Sequence, residues 1–391
     1  MADDNNMSIN NIRTEAYAAY VNKDTIRSHS TSGGLFTLLA ERTISAGGVV
    51  YGAAFDEDLH VVHTPVRSLD ELDRLRRAKY APSRMGNTFA EVKALLEQGT
   101  PVLFSGTPCQ VAGLHHYLKL DAPTLESMKS SEGMEELSAA SEQMCTDEKV
   151  KSHKSDNEVG AISINWDRDK LILMDLVCHG VPTEKAWESY LKFRQQEDQQ
   201  ETLASEVNFR SKSTGWGQYS VSMKYPSGYE YSCKSHYDSY MIAFVGNMIL
   251  RPACNKCQFK GVERCSDFTL GDFWGVWDLK PEMNDDKGIS TVLVHSEKGK
   301  RIWQELCKKV ISEPLTLEES YHLNPSMIEA SAVHPMRDEL LSRIETEGFA
   351  PVEAEAAKIR KERMEHDAAV EKANRSLIRR VKRKVKRILY S

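Results

Sequence analysis

Four cysteines have the spacing and surroundings of residues that could carry chemistry. Cys109 lies in Thr-Pro-Cys-Gln and Cys178 begins Cys-His-Gly, and each closes a predicted strand. Cys254 and Cys257 form a Cys-x-x-Cys pair, which can chelate a metal or a cluster. Because four thiolates are the ligand set of an iron–sulfur cluster, the first hypothesis is an electron carrier.

The predicted elements would bring these cysteines together. In open α/β sheets, bound groups collect at the carboxyl ends of strands, and Cys109 and Cys178 both follow such ends. A helix is predicted to begin at Cys109 and to run to Leu118, and its unpaired N–H groups would favour a thiolate. Cys254 and Cys257, on one loop, would supply the other two ligands.

Other interpretations of the cysteines stay open at this point. A single cysteine at a strand end is often a small buried apolar residue, and one Cys-x-x-Cys suits zinc or redox chemistry as well. A structural zinc site is the strongest alternative, because it needs the same ligands. Cys265 could compete as the fourth ligand, Cys233 and Cys307 are interpreted as structural, and Cys145 is assigned no role.

A second candidate site is the turn Ser32-Gly33-Gly34, which stands directly before a predicted helix. Glycine lets the backbone approach a ligand and a helix start offers N–H groups to phosphate, so a flavin dinucleotide would fit. A polar cluster that could neutralise the same phosphates follows: Arg76, Arg77, Lys79, Tyr80 and Ser83. A plain glycine turn and a solvated helix face are the structural alternatives.

The order of predicted helices and strands indicates a mixed α/β fold (α+β), with a layered sheet, cluster-binding loops at strand ends and a helical C-terminal tail. Strands are predicted at 15–22, 49–55, 59–62, 101–104 and 171–177, and a capping box at Thr88 and Glu91. The predicted organisation is a disordered segment 1–14, a flavin-binding part 15–120, a flexible polar insertion 121–160, a cluster-binding part 161–312 and a helical region 313–391.

Composition and charge indicate the class of protein, its location and the partners to expect. The 391 residues are 40% hydrophobic, which is typical of a globular protein with two or three domains. The sequence contains no apolar run of about 18 residues and no signal-peptide pattern at its start, so we expect a cytoplasmic protein whose cysteines stay reduced. Nucleic acid is not an expected partner, because the net charge is −6 and no nucleic-acid-reading motif is present.

The last residues differ from the rest of the chain. Residues 375–391 contain eight basic and no acidic side chains, with Leu377, Val381, Val385 and Ile388 at helical spacing. This pattern predicts a basic amphipathic helix that contacts anionic lipid at the inner membrane face. A solubilising helix, or one that docks on an acidic partner, remains the alternative.

The chain resembles the coenzyme F-420 hydrogenase/dehydrogenase beta-subunit family, in its bacterial branch. The matching segments are collinear from about residue 15 to residue 305. They include Ser32-Gly33-Gly34-Leu35-Phe36, Lys79-Tyr80 with Ser83, Phe104-Ser105-Gly106-Thr107-Pro108-Cys109-Gln110, Cys178-His179-Gly180-Val181-Pro182, Phe209-Arg210-Ser211-Lys212, Leu250-Arg251-Pro252 with the Cys-x-x-Cys, and Ser266-Asp267-Phe268-Thr269-Leu270-Gly271-Asp272-Phe273-Trp274-Gly275.

The resemblance implies an oxidoreductase with FAD and a 4Fe-4S cluster, which passes electrons from a ferredoxin-like donor to a reducible substrate. It implies that Cys109, Cys178, Cys254 and Cys257 ligate the cluster, and that the Ser32-Gly33-Gly34 turn, the Lys79-Tyr80 segment and Thr107 lie along the FAD. It also suggests a role beside polysaccharide-biosynthesis enzymes. Many relatives begin with a ferredoxin domain that is not found before Ala18 in this sequence, so a separate donor is expected.

A second function from another class remains open. The four cysteines could hold zinc in an accessory protein that binds a glycan-pathway enzyme without turnover. The sequence identifies neither the electron acceptor nor a proton donor.

Overall fold

The computed structural model describes residues 14–120 and 166–389, with side chains up to residue 375. The predicted disordered segment before Thr14, the predicted insertion 121–160 and the side chains of the basic tail beyond residue 375 lie outside the described residues. The described chain confirms the mixed α/β class, with a layered sheet and a helical C-terminal segment.

Two sheets are built from twelve strands in the described part of the chain. Their bounds are β1 (Glu15–Val21), β2 (Val49–Phe55), β3 (Val61–Val66), β4 (Ser83–Arg84), β5 (Val102–Gly106), β6 (Leu171–Leu176), β7 (Glu206–Ser211), β8 (Ser220–Lys224), β9 (Glu230–Lys234), β10 (Phe268–Asp272), β11 (Ser290–Val294) and β12 (Val310–Leu315). Nine form one mixed sheet in the order β12-β1-β11-β10-β6-β5-β2-β3-β4, and β7-β8-β9 form an antiparallel sheet.

Helices lie between these strands and after them. Their bounds are α1 (Asp24–Ser28), α2 (Leu35–Ser45), α3 (Thr88–Glu97), α4 (Pro108–Tyr117), α5 (Glu184–Glu197), α6 (Ser239–Val245), α7 (Val276–Leu279), α8 (Glu297–Leu306), α9 (Leu317–Ser320), α10 (Arg337–Glu347) and α11 (Ala350–Leu389). Helices α2 and α8 share an apolar core with one face of the large sheet, and α3 and α4 share a core with the other face. The smaller sheet packs with α5, α6, α10 and α11.

The central strands are apolar because helices cover both faces of the sheet. Every residue of β5 is buried; Leu103 belongs to the core of α2 and α8, and Phe104 to the core of α3 and α4. Strand β6 alternates in the same way, with Ile172 in the first core and Leu173 in the second. Parallel strands covered on both faces read as continuous apolar runs for this reason.

Strands β2, β5, β6 and β10 are parallel neighbours, so their carboxyl ends meet at one edge of the sheet. Gly106 at the end of β5 is opposite Asp175, and Leu270 of β10 is opposite Leu176. The loops that follow these strands therefore start side by side. This is the edge at which open α/β sheets place their bound groups.

The large sheet combines strands from distant parts of the chain. Strand β1 lies between β11 and β12 and pairs with both in antiparallel fashion, with Ala19 opposite Ser290 on one side and Ser312 on the other. Both predicted parts, 15–120 and 161–312, thus contribute strands to one sheet. Their separate roles in holding flavin and cluster stay a prediction.

Three differences from the sequence-based expectation have an identifiable physical reason. Strand β3 begins at Val61 rather than Leu59, because Leu59 has a φ of 61° in the turn before it. The predicted capping box is wrong: Thr88 lies inside α3 and its hydroxyl donates to a carbonyl of the preceding turn, while Glu91 accepts a hydrogen bond from Tyr51. Strand β12 was not predicted, since its alternating exposed residues resemble the charged region after it.

The final helix, α11, is 40 residues long and packs against α6 and α10 at its beginning. Val352 and Ala356 are buried there, whereas the residues from Glu365 to Arg375 are exposed. A search of the described helices finds none that combines the length and the apolar character needed to cross a bilayer.

Buried His63 makes stability depend on pH. Burial lowers the pKa of His63 to about 4, and its ring lies 2.6 Å from the Ser83 hydroxyl and 3.0 Å from the Ser105 carbonyl oxygen. The folded state therefore favours neutral imidazole. This contribution is complete above the ordinary histidine pKa and is lost as the pH falls from about 6.5 toward 4, at a cost of about 3 kcal/mol.

We expect His63→Gln to reduce the loss of unfolding free energy between pH 6.5 and pH 4, measured by urea denaturation at several pH values. Glutamine can still donate to the Ser105 carbonyl but does not titrate. His366→Gln, which changes an exposed histidine of α11, is the control and should leave the wild-type pH dependence unchanged. An identical pH dependence in His63→Gln would contradict the assignment.

Candidate functional site

Cys109 and Cys178 lie on neighbouring loops at the carboxyl edge of the sheet. Thr107 caps α4 after β5: its N–H donates to Gln110 Oε1 at 2.9 Å, and the two side chains form a capping box. Pro108 starts the helix, so Cys109 stands in its first turn, 3.2 Å from the Thr107 hydroxyl. The first turn leaves backbone N–H groups unpaired, which favours negative charge there.

The Cys-x-x-Cys loop docks on the segment that follows Cys178. Arg251 N–H donates to the Val181 carbonyl at 2.9 Å, and Val181 N–H points back to Cys254 Sγ at 3.3 Å. A short 3₁₀ turn, Pro252–Lys256, then leads to Cys257. A backbone N–H directed at a cysteine sulfur is a hydrogen bond that would stabilise a thiolate.

All four predicted ligands share one electrostatic neighbourhood. Burial raises the pKa of Cys178 to about 12, the Lys260 ammonium opposes this rise, and the thiols of Cys109, Cys254 and Cys257 add to it. The four cysteines come from three separate loops, and their assignment as cluster ligands stays a prediction. Cys265 is exposed, and Cys233 and Cys307 lie on β9 and after α8.

Two basic residues fasten the Cys-x-x-Cys segment to the chain between α9 and α10. The Lys260 ammonium donates to the carbonyls of Cys178 and Ser326, the latter at 2.8 Å. Arg264 donates through Nε to the Gly261 carbonyl at 2.9 Å and through Nη2 to the Met327 carbonyl at 3.2 Å. These bonds fix the loop against residues that sequence analysis did not single out.

Two adjoining cavities open at the same edge. One of about 380 Å³ is lined by residues that include Lys79, Tyr80, Thr107, Cys178 and Arg210. The other, of about 220 Å³, is lined by residues that include Ser32, Gly34, Arg76, Arg77 and Asp272. Tyr80 and Asp272 belong to the walls of both cavities, so the cavity beside the glycine turn adjoins the one that Cys178 lines.

The glycine turn is pressed against β1 and β11. Gly33 N–H donates to Ser290 Oγ at 3.0 Å, and a Cβ at Gly33 would come within 2.4 Å of the Ala19 carbonyl oxygen. Gly34 has a φ of +93° directly before α2. Ser32 donates its hydroxyl proton to the Ile289 carbonyl at 2.6 Å. Glycine is required at Gly33 by close approach and is favoured at Gly34 by its backbone conformation.

Two basic side chains, Arg27 and Lys212, hold this turn in place through hydrogen bonds. Arg27 is 2% exposed, forms a bidentate pair with Asp285 at 2.6 Å and donates to the Gly288 carbonyl at 2.9 Å. Lys212 donates to the carbonyls of Arg27 at 3.0 Å and Ser32 at 3.3 Å. Burial lowers the pKa of Lys212 to about 8. The turn is thus held by residues that are far from it in the sequence, Lys212 and Asp285 among them.

The other predicted cofactor residues have different surroundings. The ammonium of Lys79 donates to the backbone carbonyls of Arg74 at 2.9 Å and Arg76 at 2.6 Å, and burial lowers its pKa to about 7. The Ser83 hydroxyl is engaged with His63, away from the lining of either cavity. Tyr80 lines both cavities, which makes it the most central of the predicted residues.

Arg210 and Asp272 were missed as site residues. The Arg210 side chain is 3% exposed; its Nη1 lies 2.8 Å from Asp272 Oδ2 and 3.3 Å from the Tyr80 hydroxyl, and its guanidinium stacks 3.8 Å from the Tyr219 ring. Its Nε and Nη2 have no hydrogen-bond partner among the described residues. Its position on a predicted strand directly after Phe209 is the signal that could have revealed it, because an arginine at a buried position needs a partner.

The Arg210–Asp272 pair should be costly to break. Asp272→Asn leaves a buried guanidinium without its carboxylate, and we expect a loss of about 3–5 kcal/mol of unfolding free energy. The double variant Arg210→Met/Asp272→Asn should recover part of this loss, because no charge is then left unpaired. Asp169→Asn, which breaks the exposed pair with Arg301, is the control and should change little. Urea denaturation measures all three, and an Asp272→Asn protein as stable as Asp169→Asn would contradict the expectation.

Comparisons with known proteins were made against families, proteins of curated function and solved structures. Residues 99–318 match the family model for the C terminus of the "Coenzyme F420 hydrogenase/dehydrogenase, beta subunit". No protein of curated function matches. Twelve chains of solved structures match. One is from the xenon-derivatised F420-reducing [NiFe] hydrogenase complex of Methanosarcina barkeri, with 13% identity, a TM-score of 0.44 and coverage of 90% of this chain and 91% of that chain.

The family match confirms the resemblance inferred from the motifs, and it includes the segments of all four candidate cysteine ligands. The family is one of oxidoreductase subunits, which supports a redox role at that coarse level. Since the match spans more than half of the sequence, the chain belongs to the coenzyme F420 hydrogenase/dehydrogenase beta-subunit family.

Proposed function

We propose that this chain is an iron–sulfur flavoprotein subunit that passes electrons from a ferredoxin-like donor through a 4Fe-4S cluster and FAD to a reducible substrate. The observation that carries the proposal is the placement of Cys178 in the wall of a cavity, with Cys254 against the segment that follows it and the thiols of Cys109 and Cys257 close enough to influence its pKa. Cys109 and Cys178 follow parallel strands, and Cys254 and Cys257 lie on a loop that docks on Val181, in the segment after Cys178.

The donor set fits an iron–sulfur cluster. Four thiols could supply the ligands; the sulfur of Cys254 receives a backbone N–H, and the ammonium of Lys260 would compensate negative charge at Cys178. Cys109 is exposed, which leaves one side of the site open to a protein electron donor, whereas Cys178 faces the cavity. The chain thus offers an entry side and an exit side for electrons.

In this proposal the two cavities hold the flavin. The turn at Ser32 and Gly34 would hold phosphates, while Tyr80 and Thr107 would line the part nearer the cysteines. When bound, the cluster supplies one-electron transfer and the flavin supplies hydride transfer. The chain's own residues would bind and orient the flavin and exclude water. Tyr80 packs on Phe244, and Arg210 keeps positive charge beside the cavity.

The first experiment must distinguish the iron–sulfur protein from the alternative, an accessory protein that binds zinc. Protein purified without oxygen should contain iron and acid-labile sulfide, and Cys254→Ala should lose most of this iron because it removes one ligand. Cys109→Ala and Cys178→Ala should behave alike. Iron, sulfide and zinc are measured per chain by elemental analysis and by visible absorbance.

The other cysteines provide matched controls. Cys233→Ala changes a cysteine on β9 and Cys307→Ala one after α8, and both should keep the wild-type iron content. Cys265→Ala tests the competing ligand and should also keep its iron. A colourless protein with stoichiometric zinc would refute the cluster, and iron that is unchanged in Cys254→Ala would refute the ligand set.

Flavin binding has its own matched pair of variants. Gly34 and Gly47 lie at the two ends of α2, with φ values of +93° and +74°. Alanine at either position should cost about 1–2 kcal/mol through backbone strain. Only Gly34→Ala also presses on Ile26, 3.1 Å away, and changes the cavity wall, whereas a Cβ at Gly47 meets nothing within 4 Å.

We expect Gly34→Ala to lower the FAD content per chain and Gly47→Ala to leave it unchanged. The flavin is released by denaturation and identified by fluorescence before and after phosphodiesterase treatment, which distinguishes FAD from FMN. Equal flavin content in both variants would place the flavin elsewhere, and wild-type protein without flavin would refute this half of the proposal.

The setting of the reaction belongs to the proposal as well. A separate ferredoxin-like donor and a role beside polysaccharide-biosynthesis enzymes follow from the family resemblance. Contact of residues 375–391 with an anionic membrane follows from their basic composition.

A further inference from the structure

The Lys260 side chain reaches two chain segments that border the cysteines. Its ammonium donates to the carbonyl of Cys178, which follows β6, and to that of Ser326, which precedes α10. Lys260 itself lies three residues after Cys257. It therefore connects three segments around the cysteines, and its position is fixed by two hydrogen bonds.

The ammonium of Lys260 can interact electrostatically with a cluster at these cysteines, because it is bonded to the carbonyl of Cys178 and its own loop carries Cys257. The side chain is half-buried, so water screens these interactions only in part. A cluster held by four thiolates gains one negative charge on reduction, and a fixed positive charge nearby stabilises the reduced form more than the oxidised form.

We infer that Lys260 is a positioning residue that raises the reduction potential of the cluster by holding its positive charge between the Cys178 loop and the Cys-x-x-Cys loop. The inference rests on the proposed function, since it needs a cluster at these cysteines. It goes beyond the proposed function because a residue that is not a ligand then helps to set the reduction potential of the cluster.

The neighbouring charges provide a comparison. Lys256 stands between Cys254 and Cys257 in sequence but is exposed, so solvent screens its charge. Arg264 is bonded to backbone carbonyls of its own segment and of Met327. Lys256 is therefore the matched control for Lys260: it carries the same charge, lies in the same loop and differs in burial.

The test is a redox titration of the anaerobically purified, cluster-containing protein, monitored by electron paramagnetic resonance. Lys260→Met should shift the equilibrium between reduced and oxidised cluster about tenfold toward the oxidised form, which is a potential about 59 mV more negative for one electron. Lys256→Met should shift it less than about threefold. Lys260→Arg keeps the charge and should restore a value near wild type.

Each outcome has a distinct meaning. Wild-type protein without a cluster refutes the proposed function itself. A cluster in wild type and Lys260→Met with equal potentials, or an equal shift in Lys256→Met, refutes the inference alone. If Lys260→Met does not retain iron, Lys260→Gln replaces it, because the amide can still donate to one carbonyl. Loss of iron in both neutral variants and in Lys260→Arg would show that only shape matters at this position and would also refute the inference.

Discussion

The parallel register of β5, β6 and β10 is the constraint on which the rest of the molecule depends. Because these buried strands run in one direction, their carboxyl ends lie side by side, and the loops after them begin within reach of one another. One loop carries Cys109, the next Cys178, and the third leads to Trp274 in the cavity wall. A shift of β5 or β6 by one residue would exchange the two buried faces of that strand and displace Cys109 or Cys178, the cysteine that follows it.

Charged groups are placed around this edge with their partners supplied by the chain. Arg27 is matched by Asp285, Arg210 by Asp272, and Lys260 and Lys212 by backbone carbonyls. Each of these groups would be costly to bury alone, since an unpaired charge in a low-dielectric interior loses its hydration. The positive charge beside the cavities is thus retained in a fold whose sequence is acidic overall.

The sequence allowed prediction of features that are local. Continuous apolar runs predicted the central strands. The motifs predicted that Cys254 and Cys257 share one loop and that Cys109 and Cys178 follow strands. Features that depend on tertiary pairing were not accessible: β12 has no apolar pattern of its own, and Lys79 was expected near phosphate although its ammonium donates to backbone carbonyls. Arg210 and Lys260 become significant only when strands distant in sequence bring Asp272 and Cys178 beside them.

The position of β1 between β11 and β12 has a consequence for biosynthesis. A ribosome releases β1 long before its two partner strands exist, so this strand has no partner until β11 is synthesised and lacks its second partner until the chain has passed residue 315. The glycine turn rests on Ser290 and on the loop of Asp285, so its shape is completed equally late. A nascent fragment that ends before β11 would then present an unpaired strand edge to chaperones.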